Sequence, residues 1–240
     1  MRTLNLLILS ALALLLAGCV TPSTYDFSQY HEEKPRSILV LPVVNNSVDV
    51  LAPTSVLTTL PRVLAEKGYY VFPVNTVKTL LEYEGLYEPS EIHQLPTKEL
   101  SSLFGADAVL YLTIHEWTSK YAVFATTTVV DFEYTIANKQ GEQLWNARKK
   151  LTYSPQNNNN SGSAMAMLIS AAVTAAVERA APNYLPLTRQ ANYEVFYTDY
   201  TRIPPGPYLP GYDEYYTAIE SAGTETSQNN TEANLTAGDQ

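Results

Sequence analysis

Two different strand patterns, separated by segments of helical periodicity, constrain the fold of this chain most strongly. Residues 37–44 read Ser-Ile-Leu-Val-Leu-Pro-Val-Val, a continuous apolar run typical of a strand that is buried on both faces. From residue 108 onward the apolar residues instead alternate with polar ones, which indicates strands with one solvated face. The sequence therefore predicts an α/β fold with a mixed sheet and helices, in which a βαβ-type parallel crossover is followed by an antiparallel meander.

The parallel crossover follows the first strand. Apolar side chains at helical spacing predict a helix from Thr54, its cap, to Lys67, with Gly68 as its stop. Pro61 lies inside this pattern and predicts a kink or a broken turn. The next residues, Tyr-Tyr-Val-Phe-Pro at 69–73, predict a short second strand. A strand, a helix and a strand at this separation indicate a right-handed parallel crossover.

Two further helices and three further strands complete the predicted order. The helices are predicted at 74–83 and 97–104, the second capped by Thr97 and ended by Gly105, and the strands at 108–115, 121–138 and 144–153. The Asn-Lys-Gln-Gly sequence at 138–141 predicts the hairpin turn between the last two strands, with Gly141 available for a positive φ.

The amino-terminal residues have the layout of a secretory signal peptide. Arg2 precedes an apolar run over residues 4–16, which is too short for a comfortable membrane-spanning helix, and small residues follow. The tetrad Leu16-Ala17-Gly18-Cys19 resembles a bacterial lipobox, and this resemblance implies removal of residues 1–18 and acylation of Cys19. An ordinary signal peptide with a chance cysteine is the alternative.

The cysteine count favours lipidation. Cys19 is the only cysteine, and a single free thiol would be unusual in an exported protein. The next residue is Val20 rather than Asp, and by resemblance to sorting signals of Gram-negative bacteria this implies an outer-membrane anchor with the domain facing the periplasm.

Changes in composition divide the chain into five segments. The predicted boundaries are a signal peptide at 1–18, a lipidated tether at 19–35, a periplasmic α/β domain at 36–192, a Tyr/Pro-rich strap at 193–216 and a disordered tail at 217–240. Within the tether, three acidic side chains are expected to favour solvation: Asp26, Glu32 and Glu33.

Charge and motifs argue against several classes of function. The formal net charge of −9 makes the chain a poor nucleic-acid binder. Nucleophile-elbow, P-loop and dinucleotide glycine patterns are absent. His31, His93 and His115 lack the spacing of a metal-binding pair. We therefore predict no enzyme, no cofactor and no metal site, with an unrecognised site around Asp107, His115 and Glu116 as the alternative.

One pair of carboxylates needs a separate interpretation. Asp131 and Glu133 lie two residues apart on the same strand, a spacing that would suit acid/base work. Ion pairing with Arg148 and Lys150 across the hairpin is the simpler explanation.

Two segments are candidates for interaction rather than reaction. Residues 164–181 predict a helix of small residues, which either packs on this protein's own sheet or contacts a partner helix or the bilayer. The strap at 193–216 combines tyrosines and prolines, which provide contact area at low entropic cost. It either lies across the same domain or contacts a partner.

Several strings of the sequence carry a family resemblance: 36–42, 45–50, 60–62, 68–73, 104–111 and 205–208. Together they resemble a family of small proteobacterial outer-membrane lipoproteins of unknown function. The resemblance implies a domain similar to the amino-terminal domain of TolB and a gene placed beside a lipoprotein similar to the secretion channel CsgG. It implies no enzymatic activity.

These observations lead to one functional prediction. The chain is expected to be a non-enzymatic interaction or assembly module, anchored to the outer membrane through Cys19 and accessory to a CsgG-like secretion complex. Two alternatives stay open: a small-ligand-binding or hydrolytic periplasmic domain, and a structural lipoprotein that contacts peptidoglycan.

Overall fold

A computed structural model describes residues 25–122, 125–153 and 184–221 of the 240-residue chain. The helices in these ranges are α1 Ser28–Glu33, α2 Ala52–Leu57, α3 Leu60–Glu66, α4 Val74–Tyr83, α5 Pro89–Ile92, α6 Thr97–Phe104, α7 Leu185–Tyr193 and α8 at 212–221. The strands are β1 Ser37–Val40, β2 Val44–Asn45, β3 Tyr70–Val71, β4 Ala108–Ala122, β5 Ala125–Asn138 and β6 Gln143–Tyr153. The predictions for Cys19 and for residues 164–181 lie outside the described residues.

The six strands form one mixed sheet. Its order is β3-β1-β4-β5-β6, and β2 pairs with β4 beyond the end of β1. β1 is parallel to both β3 and β4, whereas β4, β5 and β6 form an antiparallel meander. The predicted parallel crossover followed by a meander is therefore confirmed.

The core occupies both faces of this sheet, and β1 is buried at every position. Ile38 and Val40 contribute to the core on the side of α2, α3 and α7, whereas Leu39 and Leu41 contribute to a second core beneath α4, α5 and α6. The meander carries most of its buried side chains, such as Phe132, on the first face, and Val109 of β4 lies in the second core. Beyond the edge of the helices its second face is largely polar.

The predicted disruption at Pro61 is confirmed, but the predicted caps are wrong. The helical pattern divides into α2 and α3, with Pro61 in the first turn of α3. Thr54 lies inside α2 rather than at its start. Thr97 is the first residue of α6, and its hydroxyl contacts the Tyr111 hydroxyl at 2.9 Å instead of the helix backbone. Gly105 does end α6, with a φ of 71°.

The prediction of a solvated tether up to residue 35 is wrong for its second half. Residues 25–33 include the helix α1, whose Tyr30 is fully buried. The Tyr30 hydroxyl donates to the Tyr69 hydroxyl at 2.8 Å, which donates in turn to the Pro204 carbonyl at 2.8 Å. Burial raises the pKa of both phenols, which keeps them protonated as donors. Buried aromatic surface therefore holds this segment on the domain.

The Tyr/Pro-rich strap lies across its own domain. α7 continues into a π-helical turn, Glu194–Thr198, which buries Val195 and Phe196. Farther along, Gly206 lies so close to Gly68 that an added Cβ at 206 would be 2.3 Å from the Gly68 carbonyl oxygen. The structure thus favours the intramolecular interpretation of the strap over the partner interpretation.

α8 returns the chain to α1. It includes residues 217–221, the first five of the predicted disordered tail, so the order extends past that predicted boundary. The Lys34 ammonium lies 2.8 Å from the Glu220 carboxylate and 4.8 Å from the centre of the Tyr216 ring. These contacts with α1 account for the additional helical residues.

Candidate interaction site

Asp107 connects the starts of two parallel strands. Its carboxylate accepts hydrogen bonds from the Ser37 hydroxyl at 3.0 Å and from the Arg36 and Ser37 amides at 3.2 Å, and it lies 2.9 Å from the Lys139 ammonium. Partial burial acts to raise the pKa of Asp107, but bonds from Lys139, Ser37 and Arg36 outweigh it and lower the pKa. This carboxylate therefore serves structure, since it joins β1 to β4.

The other two members of the candidate trio lie far from Asp107. His115 occupies a bulge in β4, and its Nε2 lies 2.6 Å from a Glu133 carboxylate oxygen. Glu116 accepts a hydrogen bond from the Lys150 ammonium at 2.6 Å. Eight residue steps along β4 separate Asp107 from His115, a distance of about 26 Å. The trio does not converge, so the predicted alternative site around these residues is wrong.

The second carboxylate pair follows the simpler interpretation only in part, because Asp131 pairs with Arg148, whereas Glu133 lies beside His115 and Lys150 pairs with Glu116. Two nitrogens of the Arg148 guanidinium, Nε and Nη2, donate to the two carboxylate oxygens of Asp131 at 3.0 and 2.9 Å, which forms a bidentate pair. Hydrogen bonding to Arg148 lowers the pKa of the Asp131 carboxyl despite its burial. These charges stabilise the polar face of the meander rather than forming an acid/base site.

The two remaining histidines also have structural partners. His31 Nε2 lies 3.0 Å from the Tyr215 hydroxyl, and His93 Nε2 donates to the Pro42 carbonyl at 2.9 Å. Over residues 25–122, 125–153 and 184–221, no group of three or more His, Cys, Asp or Glu side chains is arranged to hold a metal ion. The depression between Lys98 and Lys139 is open to solvent, and its lining of lysine, serine, glutamine and small residues includes no carboxylate or histidine.

The loop between β2 and α2 is the feature that suits binding. We call residues 46–51 the apolar loop. Val48, Val50 and Leu51 are 99%, 85% and 69% exposed in it. Exposed apolar side chains are common singly, but three within four residues form a small patch of the kind that marks interaction sites.

Polar side chains hold the apolar loop in shape. The Asn45 amide oxygen accepts from the Ser47 amide and hydroxyl at 3.0 and 2.7 Å, while its nitrogen donates to the Asp49 carbonyl at 2.9 Å. The Asp49 carboxylate accepts from the Leu51 amide at 2.8 Å. These bonds turn the polar residues of the loop toward its own backbone, which leaves the apolar ones facing solvent.

The sheet holds the apolar loop in place. The Asn46 amide donates to the Ile114 carbonyl of β4 at 2.9 Å, directly before the bulge. Sequence reasoning missed the loop because it used residues 45–50 only as one of the strings that carry the family resemblance. The available signal was the Val-Asp-Val-Leu string at 48–51, which fits neither strand nor helix burial.

No helix in the described ranges combines the length and the apolar character needed to cross a bilayer. The predicted lipidation site, Cys19, lies outside these ranges, so its acylation stays a prediction.

Comparison with known proteins gives consistent matches. Residues 25–207 match the family described as "Putative lipoprotein GNA1162-like". A lipoprotein of Neisseria meningitidis serogroup B, NMB1124/NMB1162, is 34% identical over 182 residues, which cover 75% of this chain and 82% of that protein. The crystal structure of lipoprotein GNA1162 from Neisseria meningitidis aligns with a TM-score of 0.50 at 33% identity, over 60% of this chain and all of that chain.

A more distant likeness concerns the fold alone. The carboxy-terminal domain of LpoB from Salmonella enterica aligns with a TM-score of 0.36 at 20% identity, over 49% of this chain and 84% of that chain. Likeness at this level says nothing about function.

Proposed function

Because this chain belongs to the GNA1162-like lipoprotein family, a group of small proteobacterial lipoproteins of unknown function, we propose that it is a non-enzymatic, lipid-anchored adaptor of the bacterial envelope. Its apolar loop docks another envelope protein, and Cys19 carries the anchor. The observation that carries the proposal is the apolar loop: three exposed apolar side chains on a hydrogen-bonded frame.

The anchor and its membrane follow from the amino-terminal sequence. Family membership makes the lipobox interpretation of Leu16-Ala17-Gly18-Cys19 the natural one, and Val20 in place of Asp favours the outer membrane, with the domain in the periplasm. Two or more acyl chains on Cys19 would provide stable anchoring.

A protein suits the apolar loop better than the bilayer interior does. Asp49 lies between Val48 and Val50, and moving a carboxylate to the centre of a hydrocarbon core costs roughly 2.5–3.5 kcal/mol. A protein groove can bury the valines and leave Asp49 at a polar rim. Burying each exposed Val or Leu returns roughly 1.5–3 kcal/mol, so the three side chains can serve as an anchor point.

The partner's identity rests on the family resemblance alone. A lipoprotein similar to CsgG is the first candidate, since the strings at 45–50 and 104–111 resemble proteins encoded beside one. The non-enzymatic part is supported by the separation of Asp107 from His115 and by the structural partners of the other carboxylates.

A crosslinking pull-down from native envelopes tests the proposal. Four forms of the protein are compared: wild type, Cys19→Ala, Val48→Asp and Tyr83→Asp. Tyr83 is a matched control, because it is 83% exposed on α4, away from the loop. We expect one envelope protein at near-stoichiometric yield with wild type and Tyr83→Asp, and its loss with Val48→Asp and Cys19→Ala.

Other outcomes would contradict the proposal. Recovery of the protein alone from crosslinked wild-type envelopes removes the adaptor role. Equal capture by Val48→Asp and Tyr83→Asp shows that the apolar loop is not the docking site. Circular dichroism of each variant establishes that the fold is retained, which the exposure of both positions predicts.

A further inference from the structure

The amino-terminal end of the folded domain lies close to the predicted lipid anchor. Tyr25 is the first described residue, and six residue steps separate its Cα from that of Cys19. At about 3.5 Å per step, the connecting chain spans at most about 21 Å. A domain of this size has a radius of gyration of about 15 Å and is therefore roughly 40 Å across. The connection is shorter than the domain that it holds.

Tyr25 cannot swing away from the domain to lengthen the connection. Its hydroxyl donates to the Asn146 side-chain oxygen at 3.2 Å and accepts from the Asn146 backbone amide at 2.8 Å. Tyr25 therefore covers part of the exposed edge of β6. Its ring lies 4.7 Å from that of Phe27, and Tyr30 follows in the buried core. The anchor point is thus fixed beside the β6 edge.

The surface around this point is polar and carries tyrosines. A shallow depression there is lined by Tyr25, Asp26, Ser28, Gln29, Gln143 and Leu144. Tyr200 is 73% exposed. It lies near β6 because the carbonyl of the next residue, Thr201, accepts a hydrogen bond from the Trp145 indole of that strand. Burial raises the pKa of Tyr25, and the nearby Tyr200 phenol adds to the rise.

We propose that this face, which we call the anchor face and which consists of Tyr25, Ser28, Gln29, Gln143, Asn146 and Tyr200, rests on the phospholipid headgroups of the anchoring leaflet. The proposal rests on the acylation of Cys19 in the proposed function. Tyrosine has an apolar ring and a polar hydroxyl, which suits the region between water and hydrocarbon. Asp26 is the only carboxylate of the depression and gives no attraction to anionic lipid, so the covalent anchor supplies the proximity.

The apolar loop lies apart from the anchor face. β2, from which it extends, is separated from β6 by β4 and β5, or about 14 Å across the sheet. The loop also lies beyond Ile114, whereas Asn146 pairs through Thr135 with Tyr111, three residues earlier on β4. A domain resting on its anchor face presents the loop away from that contact, where a periplasmic protein can reach it.

Fluorescence quenching in vesicles tests this orientation. Single cysteines replace Tyr200, Val48 or Tyr83 in the full-length acylated protein, whose own Cys19 is blocked by the lipid, and each carries a small fluorophore. The vesicles contain phosphatidylethanolamine, phosphatidylglycerol and a phosphatidylcholine with a nitroxide on its headgroup. We expect quenching at Tyr200→Cys to exceed that at Val48→Cys and Tyr83→Cys several-fold.

The alternatives give different patterns. Strongest quenching at Val48→Cys shows that the apolar loop, not the anchor face, meets the bilayer, and equal or absent quenching at all three positions also overturns the proposal. If mass spectrometry finds no acyl group on Cys19 and the protein does not float with vesicles, both the lipid anchor and this orientation are refuted. If the pull-down recovers no protein partner but quenching is confined to Tyr200→Cys, the adaptor role is refuted and this inference stands.

Discussion

Phe196 provides a quantitative test of whether the Tyr/Pro-rich strap belongs to the core. Its side chain is fully buried, 5.4 Å between ring centres from Trp145 and 5.6 Å from Tyr134. Truncation to alanine removes the burial of a whole aromatic side chain and both ring contacts, which together correspond to about 3–5 kcal/mol. We therefore expect Phe196→Ala to lower the free energy of unfolding by about 4 kcal/mol.

Urea denaturation followed by far-ultraviolet circular dichroism measures this change. With a slope of about 2 kcal/mol per molar urea, the midpoint should fall by about 2 M. Because a loss of this size can unfold a domain of ordinary stability, Phe196→Leu serves as the milder variant, with an expected cost of about 1–1.5 kcal/mol.

A matched substitution separates core packing from a general effect on the strap. Tyr200 lies four residues away and is largely exposed, so Tyr200→Ala should change stability by less than about 0.5 kcal/mol. A cost below about 1 kcal/mol for Phe196→Ala, at an unchanged slope, would refute the reasoning. Such a result would favour the alternative interpretation, in which the strap contacts a partner.

Three further predictions concern other contacts. Gly206→Ala should lower the melting temperature more than Gly85→Ala does. A Cβ at 206 meets the Gly68 carbonyl, whereas one at 85 meets no atom within 4 Å and adds only the backbone strain of alanine at a φ of 82°; equal losses would argue against close packing of the strap. Asp107→Ala should cost about 1–3 kcal/mol in urea unfolding, because the Ser37 and Arg36 donors lose their acceptor; a neutral result would contradict the role of Asp107 in joining β1 to β4. Burial lowers the pKa of His93, against the opposing effect of its Pro42 bond, so the folded state binds fewer protons than the unfolded one below about pH 6.5. Stability should therefore fall between pH 7 and pH 5, less steeply in His93→Gln; equal slopes in the two proteins would refute this.

Local patterns predicted the elements that bury a regular face. The apolar run at 37–44 correctly indicated a strand covered on both faces, although the structure divides the run into β1, which ends at Val40, and β2, which begins at Val44. The alternation after 108 correctly indicated a meander with a largely polar face. The hairpin turn and Gly141, with its φ of 89°, also followed from sequence, because glycine accepts that conformation at little cost. Ion pairing between β5 and β6 was expected from sequence, but the register sets Lys150 opposite Asp131, so the diagonal pair of Asp131 with Arg148 came from the structure.

Contacts between distant parts of the chain could not be predicted in this way. Tyr30 is held by Tyr69 and, through it, by Pro204, which are 39 and 174 residues away in sequence. Residues 20–35 alone have the composition of a tether, and only the aromatic pocket formed by these remote partners makes the segment part of the domain. The same limitation left the strap undecided, because the aromatic neighbours of Phe196 lie on β5 and β6.

The helix caps show a smaller failure with a similar cause. Thr97 had the residue type and position of a cap, yet its hydroxyl contacts Tyr111 in the neighbouring strand. A hydroxyl that can serve the helix backbone can equally serve a tertiary partner, and sequence gives no measure of which is closer. The apolar loop was missed for the opposite reason, because Val48 and Val50 are exposed among the described residues and add no periodic pattern of burial.

The docking of α1 links the fold to the geometry of the envelope. If residues 19–35 were a free tether, the domain would begin at residue 36, seventeen steps from Cys19, with a reach of up to about 60 Å. The buried Tyr30 and the Tyr25 contacts with Asn146 shorten that reach to about 21 Å and fix the side from which the chain leaves. A long tether would let the apolar loop sample all directions, whereas a short one restricts it to one side of the domain. In the proposed function, such restriction would lower the entropic cost of meeting a partner anchored in the same membrane, and this would be the physical advantage of an aromatic helix between the anchor and the sheet.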